Sequence, residues 1–585
     1  MGHLHQVDHY LRLYNVIGHA VIGEKGEVTL NEIAETLCCT QRNAQLILHK
    51  LSSLHWITWI PGRGRGNRSK IIFLREPDEL LLSVAKEYVQ VWDIQGATAL
   101  VTNYSESFPY IRERFEMWLN SQWSMLKWEP NHLQGENILR FSYEKPFLHL
   151  DPAYGYLRSE CHIIKQLFDP LLIYHPERNH VEPHLSHHWE RDSTGRSWRF
   201  YLRRGVRFHH GPFLVAEDVV YSLERLERSS YCWMTENMAS VTASDDYTVD
   251  ILLKDADALF LQILSNEHLS IIPAHYCEEI GRDFFRFPMG TGPFKLLRND
   301  HAMLVMEKFE VYFRERAILD RIEISIHSVG NLQKYREEDL QQWKVEAKTA
   351  SNVMMLLCNL NKPGYPSDPR FREVLELLLV REKMIQELGG DRGKVTESIL
   401  ADHEKELVKK RECKERIEEL LRQLPEQKIP LHLYTFDDRD HQEDAVWIQK
   451  QCASVGIRIE LHLVSVAELL KVETMQFADI ILDETTIDDL VEVSMLELFF
   501  NENSFLKHLL SEELKGFIQN RVTELRQKEH HALRLQQLIA IDQKLREERA
   551  YISLYQNHIR TFSSADVKGS SINAQGWIDY RDLWM

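Results

Sequence analysis

The chain has 585 residues, is 44% hydrophobic and carries a formal net charge of −18. It is too long for one ordinary domain, so three or four lobes are expected, with apolar residues enough to fill their cores. The acidity excludes a protein that coats nucleic acid throughout. No run is long and apolar enough to span a membrane, and eight cysteines without a CxxC pair make neither a disulfide framework nor a zinc site.

The charge is uneven. Residues 1–75 hold nine Lys/Arg against five Asp/Glu, or +4, which leaves −22 for the rest. A small basic head on a large acidic body suits a site-specific DNA binder. Leu4, Val7, Leu11, Tyr14 and Ile17 recur at helical spacing and predict a first helix. Thr29 and Glu32 form a capping box for a second, in which Leu30, Ile33, Ala34 and Leu37 share a face. After a brief turn at Cys38 and Cys39, Thr40 caps a third helix running to about Leu54, with Ala44, Ile47, Leu48, Leu51 and Leu54 as its apolar stripe. Gln41, Arg42, Asn43, Gln45 and His49 lie off that stripe, and such side chains read base edges or hold phosphate. The run WITWIPGRGRGNRSKIIFL, residues 56–74, follows. Its glycines allow a tight reversal, and Arg63, Arg65, Asn67, Arg68 and Lys70 make the ribbon basic. Helix, turn, polar-fronted helix and basic hairpin together predict a winged helix-turn-helix over residues 1–75.

These residues, from HYLRLYNVIG through the WIPGRGRGNRS run, resemble the N-terminal domain of the SgrR family of bacterial transcriptional regulators. The resemblance implies DNA binding and fusion to a solute-binding domain. Residues 76–135 read as a helical connector, one helix from about Asp78 to Thr102 and a second, aromatic-rich one from Phe108 to Leu126. The helices of 76–130 are also candidates for a homodimer seam, and 131–135 reads as a loop.

From residue 137 the texture changes to strands and loops. ILRFSYEKPFLHLDPAYGY, then VEPHLSHHW, then SWRFYLRRGVRFHHGPFLVAEDVVYSL and MGTGPFKLL stand in the order seen in the oligopeptide-binding class of ABC-transporter solute-binding proteins, which this region resembles. The resemblance implies a two-lobed α/β domain of the type II periplasmic-binding-protein kind over 136–585. Lobe I takes about 136–350 and 505–585, and lobe II about 351–504. In that class the ligand lies between the lobes, and an acidic residue after the crossing strand of the second lobe often holds a peptide's ammonium group. Asp488 stands nearest to that place, with Asp483, Glu484 and Asp489 close by, though the flanking Trp and Gly of peptide binders are missing. Tyr154, Tyr156 and Arg158 are further ligand candidates, because aromatic faces and one guanidinium suit a sugar, a phosphate or a carboxylate.

Catalytic motifs are scarce. GDRGKVT at 390–396 lacks the spacing and the Ser or Thr of a phosphate loop, and neither Gly-x-Ser-x-Gly nor HExxH occurs. The adjacent pairs His187-His188, His209-His210 and His530-His531 are poorly placed to share one ion, since neighbours on a strand face opposite ways. The expectation is a multidomain, non-enzymatic regulator without metal or cofactor. Its partners are operator double-stranded DNA and a small solute (sugar phosphate, peptide or similar metabolite), and no membrane. The first residues show no basic stretch followed by an apolar one, so a cytoplasmic location is expected. The rival is a transport-system solute-binding protein with a vestigial head.

Overall fold

The structure, a computed structural model, describes residues 4–17, 22–62, 68–90, 94–105, 107–108, 110–112, 114–115, 118, 127–131, 136–143, 145–326, 343–349, 351–400, 414–564, 568–569 and 577–584. The chain divides into two compact units: residues 1–125 with 141–145 and 324–335, and residues 126–140 with 146–323 and 336–585.

In the first unit, helix α1 (Leu4–Ile17) buries Val7, Tyr10, Leu11 and Leu13. Strand β1 (Lys25–Val28) leads to α2 (Leu30–Thr36). The capping box is formed: the Glu32 amide donates to the Thr29 hydroxyl at 3.2 Å, and the Thr29 amide donates to the Glu32 carboxylate at 2.7 Å. Cys38 turns the chain with a φ of 50°. Thr40 then opens α3 (Gln41–Ser53) by accepting from the Asn43 amide at 3.3 Å. Strands β2 (Ile57–Ile60) and β3 (Ser69–Phe73) complete an antiparallel sheet of order β1-β3-β2. Tyr10 ties helix to sheet, its ring meeting Phe73 edge-on at 5.3 Å and Trp56 at 6.1 Å.

Helices α4 (Pro77–Gln90) and α5 (Ile94–Asn103) belong to this same unit rather than standing apart as a connector. The reason is apolar: Leu80, Leu81, Val84 and Ala85 of α4, with Ala97, Leu100 and Val101 of α5, are buried. Tyr104 donates to Asp8 of α1 at 3.1 Å, and Arg114 pairs with Asp78 at 2.6 Å. Burial inside the unit means that a homodimer seam through 76–130 is not needed to cover these side chains. Most of the aromatic helix expected over 108–126, and the loop at 132–135, lie outside the described residues; Lys127–Asn131 is a strand, β4.

In the second unit β4 pairs with β5 (Glu136–Tyr143). Helix α6 (Arg158–Leu167) follows the Asp151–Gly155 turn. A hairpin of β6 (Ser186–Arg191) and β7 (Ser197–Leu202) pairs with β8 (Met238–Asp245) and β9 (Thr248–Leu253) in the order β8-β9-β7-β6. Further on, β10 (Phe294–Asn299), β11 (Met303–Lys308) and β12 (Arg321–Ile326) join β5 and β4 as β10-β11-β12-β5-β4. The MGTGPF run is structural. A Cβ on Gly290 would stand 2.0 Å from the Leu167 carbonyl oxygen, and one on Gly292 would stand 2.5 Å from the Leu167 carbonyl carbon, so only glycine lets this loop pass the end of α6.

The other sheet is built from β13 (Asn352–Cys358), β14 (Leu431–Phe436), β15 (Ile459–Val464), β16 (Ile480–Thr486) and β17 (Tyr551–Tyr555), ordered β15-β14-β16-β13-β17. Helix α7 (Arg439–Ser454) links β14 to β15 in parallel. After β16 come α8 (Val491–Phe500), α9 (Glu512–Arg526) and α10 (His531–Glu547). The sequence order assigned 551–555 to lobe I, whereas β17 pairs antiparallel with β13 in the second sheet. β13 is buried along its whole length, so it takes a partner on each edge, β16 on one and β17 on the other. No helix among the described residues is long and apolar enough to cross a membrane.

Candidate functional site

Two places concentrate polar chemistry, one in each unit. In the first, α3 buries Ala44, Leu48 and Leu51 and turns Gln41, Arg42, Asn43, Gln45 and His49 to solvent. Leu46, which the helical pattern did not single out, stands 64% exposed on the same helix. Gln41 donates to Asn31 of α2 at 3.1 Å. Arg68 and Lys70 are already paired: Arg68 with the capping residue Glu32 at 3.1 Å, and Lys70 with Glu27 at 4.0 Å. Arg42 makes no ion pair among the described residues. Arg63, Arg65 and Asn67 lie outside the described residues.

In the second unit a cavity of about 220 Å³ opens where α6, β16 and α8 converge. It is lined by Tyr156, Arg158 and Cys161, by Glu267 and His268, by Asp483, Glu484 and Asp488, and by Glu497. Arg158 donates to Glu484, which also accepts from Asn352 at 2.7 Å. Burial pushes against the Glu484 charge, but Arg158, His441 and Asn352 outweigh it and hold the carboxyl below its usual range. Lys165 pairs with Glu267 at 3.1 Å, and that cation keeps Glu267 ionised against its burial. Asp488 accepts from the Leu490 amide at 2.8 Å and from the Ser494 hydroxyl, so it caps the start of α8 as well as facing the cleft.

Asp483 and Glu497 differ from these. Burial, with Glu484 beside it, pushes Asp483 up to about 7. Burial, with Glu267 and Asp488 nearby, pushes Glu497 up to about 8. The half-buried Tyr156 feels both carboxylates, and its hydroxyl is raised well above the usual value by desolvation first and by those charges second. The lining therefore carries more carboxylates than its guanidinium, Arg158, and the neighbouring Lys165 can balance. Acids that hold protons near neutrality are poised to give them up to a cation.

Of the expected ligand residues, Tyr156, Arg158, Asp483 and Asp488 come together here. Tyr154 does not. It is 46% exposed, with the Arg225 guanidinium 5.7 Å from its ring, and Arg225 in turn holds Asp151 of the Leu-Asp-Pro turn at 2.6 Å. That turn sends Tyr154 and Tyr156 different ways. Glu267, Lys165 and Glu497 were missed. Only Glu497 left a signal, as a lone carboxylate in the middle of the otherwise apolar run MLELFF.

Cys161, Glu267 and His268 bring three ligand-type atoms within 4.8 Å of one another. Lys165 occupies Glu267, however, and one nitrogen of His268 lies 2.7 Å from the Pro152 carbonyl. This arrangement serves the cleft better than it would serve an ion.

Residues 180–506 match the bacterial extracellular solute-binding proteins, family 5, and residues 5–123 match the sugar transport-related sRNA regulator N-terminal domain. A Bacillus subtilis protein, uncharacterized YhjP, is 36% identical over 99% of both chains. The HTH-type transcriptional regulator SgrR of Yersinia pestis is 26% identical over 96% of both. The chain belongs to the SgrR family. It joins the SgrR N-terminal domain to a family 5 solute-binding domain in one polypeptide. The second part shares its fold with the Helicobacter pylori periplasmic binding protein DppA, solved with the peptide STSA. That likeness has a TM-score of 0.64 at 18% identity, over 76% of this chain and 96% of that one. The SgrR N-terminal match runs through α4 and α5, as does the first compact unit.

Proposed function

We propose that this SgrR-family chain is a DNA-binding transcriptional regulator whose solute-binding domain senses a small solute bearing a cationic group. The first 75 residues act as a winged helix-turn-helix, with α3 laid in the major groove and the β2–β3 hairpin as wing. Arg42, Asn43 and Gln45 read base edges, Leu46 meets a thymine methyl, and His49, Arg63, Arg65, Asn67 and Lys70 serve the backbone. Arg68 braces the wing against α2 through Glu32, which limits its use on phosphate. Such a head works in the cytoplasm, on operator DNA.

The observation that carries the ligand reading is the pair of proton-holding acids, Asp483 and Glu497, beside Tyr156. An ammonium group entering there replaces two protons and meets two carboxylates. A sugar phosphate would bring more negative charge to a lining already rich in it. The cavity volume is below the ~300–1,000 Å³ of drug-sized sites and suits a small amine or a dipeptide. The role is binding, with no reaction assigned. In this reading residues 136–585 form the two-lobed sensor, and α4 and α5, within the head's own unit, receive its state.

The test is a melting-midpoint screen of the full chain against dipeptides, polyamines and sugar monophosphates. Amine-bearing solutes raise the midpoint of the native chain, and Glu497→Gln removes the rise. A rise with sugar monophosphates alone would overturn the ligand class. Footprinting on DNA upstream of its own gene tests the head, and no footprint at any salt would favour the transport rival.

A further inference from the structure

Far along β14 from the cleft, two imidazoles and a carboxylate meet on one face of the second sheet. β14 and β15 run parallel, with His432 opposite Glu460 and Tyr434 opposite His462. Side chains two apart on a strand share a face, so these four stand together while Leu431 and Leu433 enter the core on the other side. His432 Nδ1 and His462 Nε2 lie 2.9 Å apart. The Glu460 carboxylate oxygens lie 3.9 Å from the first and 3.8 Å from the second. Both rings are held in place: Tyr434 stacks on His462 at 4.3 Å and 10°, and Phe477 lies 4.9 Å from His432. No lysine or arginine pairs with Glu460 among the described residues.

A hydrogen bond between the imidazoles would account for the two nitrogens but not for a carboxylate flanking both. We propose that His432, Glu460 and His462 form a site for a divalent ion of the zinc, nickel or copper class, with water completing the shell. Nitrogens bound at ~2.0–2.1 Å to a tetrahedral ion stand roughly 3.3 Å apart, a few tenths of an ångström wider than here. Glu460 is exposed and can swing in by about half an ångström to reach bonding distance. Two imidazoles and one carboxylate select borderline ions over Mg²⁺ or Ca²⁺. Bound there, the ion clips β15, an edge strand among the described residues, to β14.

The full chain, stripped with chelator and dialysed against Zn²⁺, tests this by metal content. The native chain retains one zinc per chain more than His432→Ala/His462→Ala, and the affinity of that site falls at least 100-fold in the variant. His187→Ala/His188→Ala, an exposed pair on β6, keeps the native content. Excess Mg²⁺ does not displace the ion. If the double variant fails to fold, Glu460→Gln, at an exposed position, is read instead and weakens zinc about 10-fold. Equal zinc in the native chain and the His432/His462 variant would overturn the site, as would equal loss from the His187/His188 variant.

Discussion

Two ion pairs of nearly equal length lie in the two units. Arg68–Glu32 in the first spans 3.1 Å with side chains 53% and 46% exposed, and Arg534–Glu492 in the second spans 3.0 Å with side chains 5% and 1% exposed. Water screens the first, so it contributes little stability. The second has no such screening. Glu492 also lies 2.6 Å from His531, and it anchors the helix that presents Glu497 to the cleft. The same chemistry thus makes a screened surface brace in one unit and a buried anchor in the other, and burial decides which.

The largest effect expected breaks the buried pair. Arg534→Met leaves Glu492 without its main partner and costs ~3–5 kcal/mol in denaturant unfolding. Arg68→Met changes stability by less than about 1 kcal/mol. Equal costs would erase the contrast.

Next in size is the reading of DNA. Arg42→Ala or Gln45→Ala costs ~1–3 kcal/mol on the footprinted site and relaxes sequence preference there. Arg63→Ala with Arg65→Ala weakens specific and random duplex alike and flattens the salt slope by about two. Unchanged anisotropy isotherms in both sets would remove the winged-helix assignment.

The cleft acids give a smaller effect, visible as a pH slope. In the folded chain Asp483 and Glu497 sit at about 7 and about 8, against ~3.9 and ~4.3 when unfolded. Their contribution to stability is therefore full below pH ~4 and is lost as pH rises through the folded values. Between pH 5 and 8 the ligand-free protein loses stability as these groups ionise. Asp483→Asn with Glu497→Gln removes that slope, and the affinity of the native chain for a cationic dipeptide rises over the same window. A slope identical in the variant would show that these carboxyls titrate normally.

Local features were legible in the sequence. The Thr29–Glu32 box, the Thr40 cap and the α3 stripe are set by neighbours three or four residues apart, and all three are formed. The order of solute-binding motifs likewise marked the second unit. Long-range pairing was not legible. Nothing in YISLY says that it lies beside β13 rather than in lobe I, because that depends on which edge remains open after β16 has paired. Glu497 depends on α8 meeting α6, which comes from a distant part of the chain. His432, Glu460 and His462 meet only through the parallel register of β14 and β15, whereas a search along the sequence finds adjacent histidines.

The central claim is that a solute in the second unit changes what the first unit does to DNA. The direct measurement is a duplex titration of the full chain, on the footprinted DNA upstream of its own gene, with and without a saturating amount of the dipeptide that raises its melting midpoint most. The account predicts a change in duplex affinity of about 5- to 150-fold, with the reciprocal change in dipeptide affinity when DNA is bound. Superimposable duplex isotherms, with the dipeptide shown by calorimetry to be bound, would contradict it.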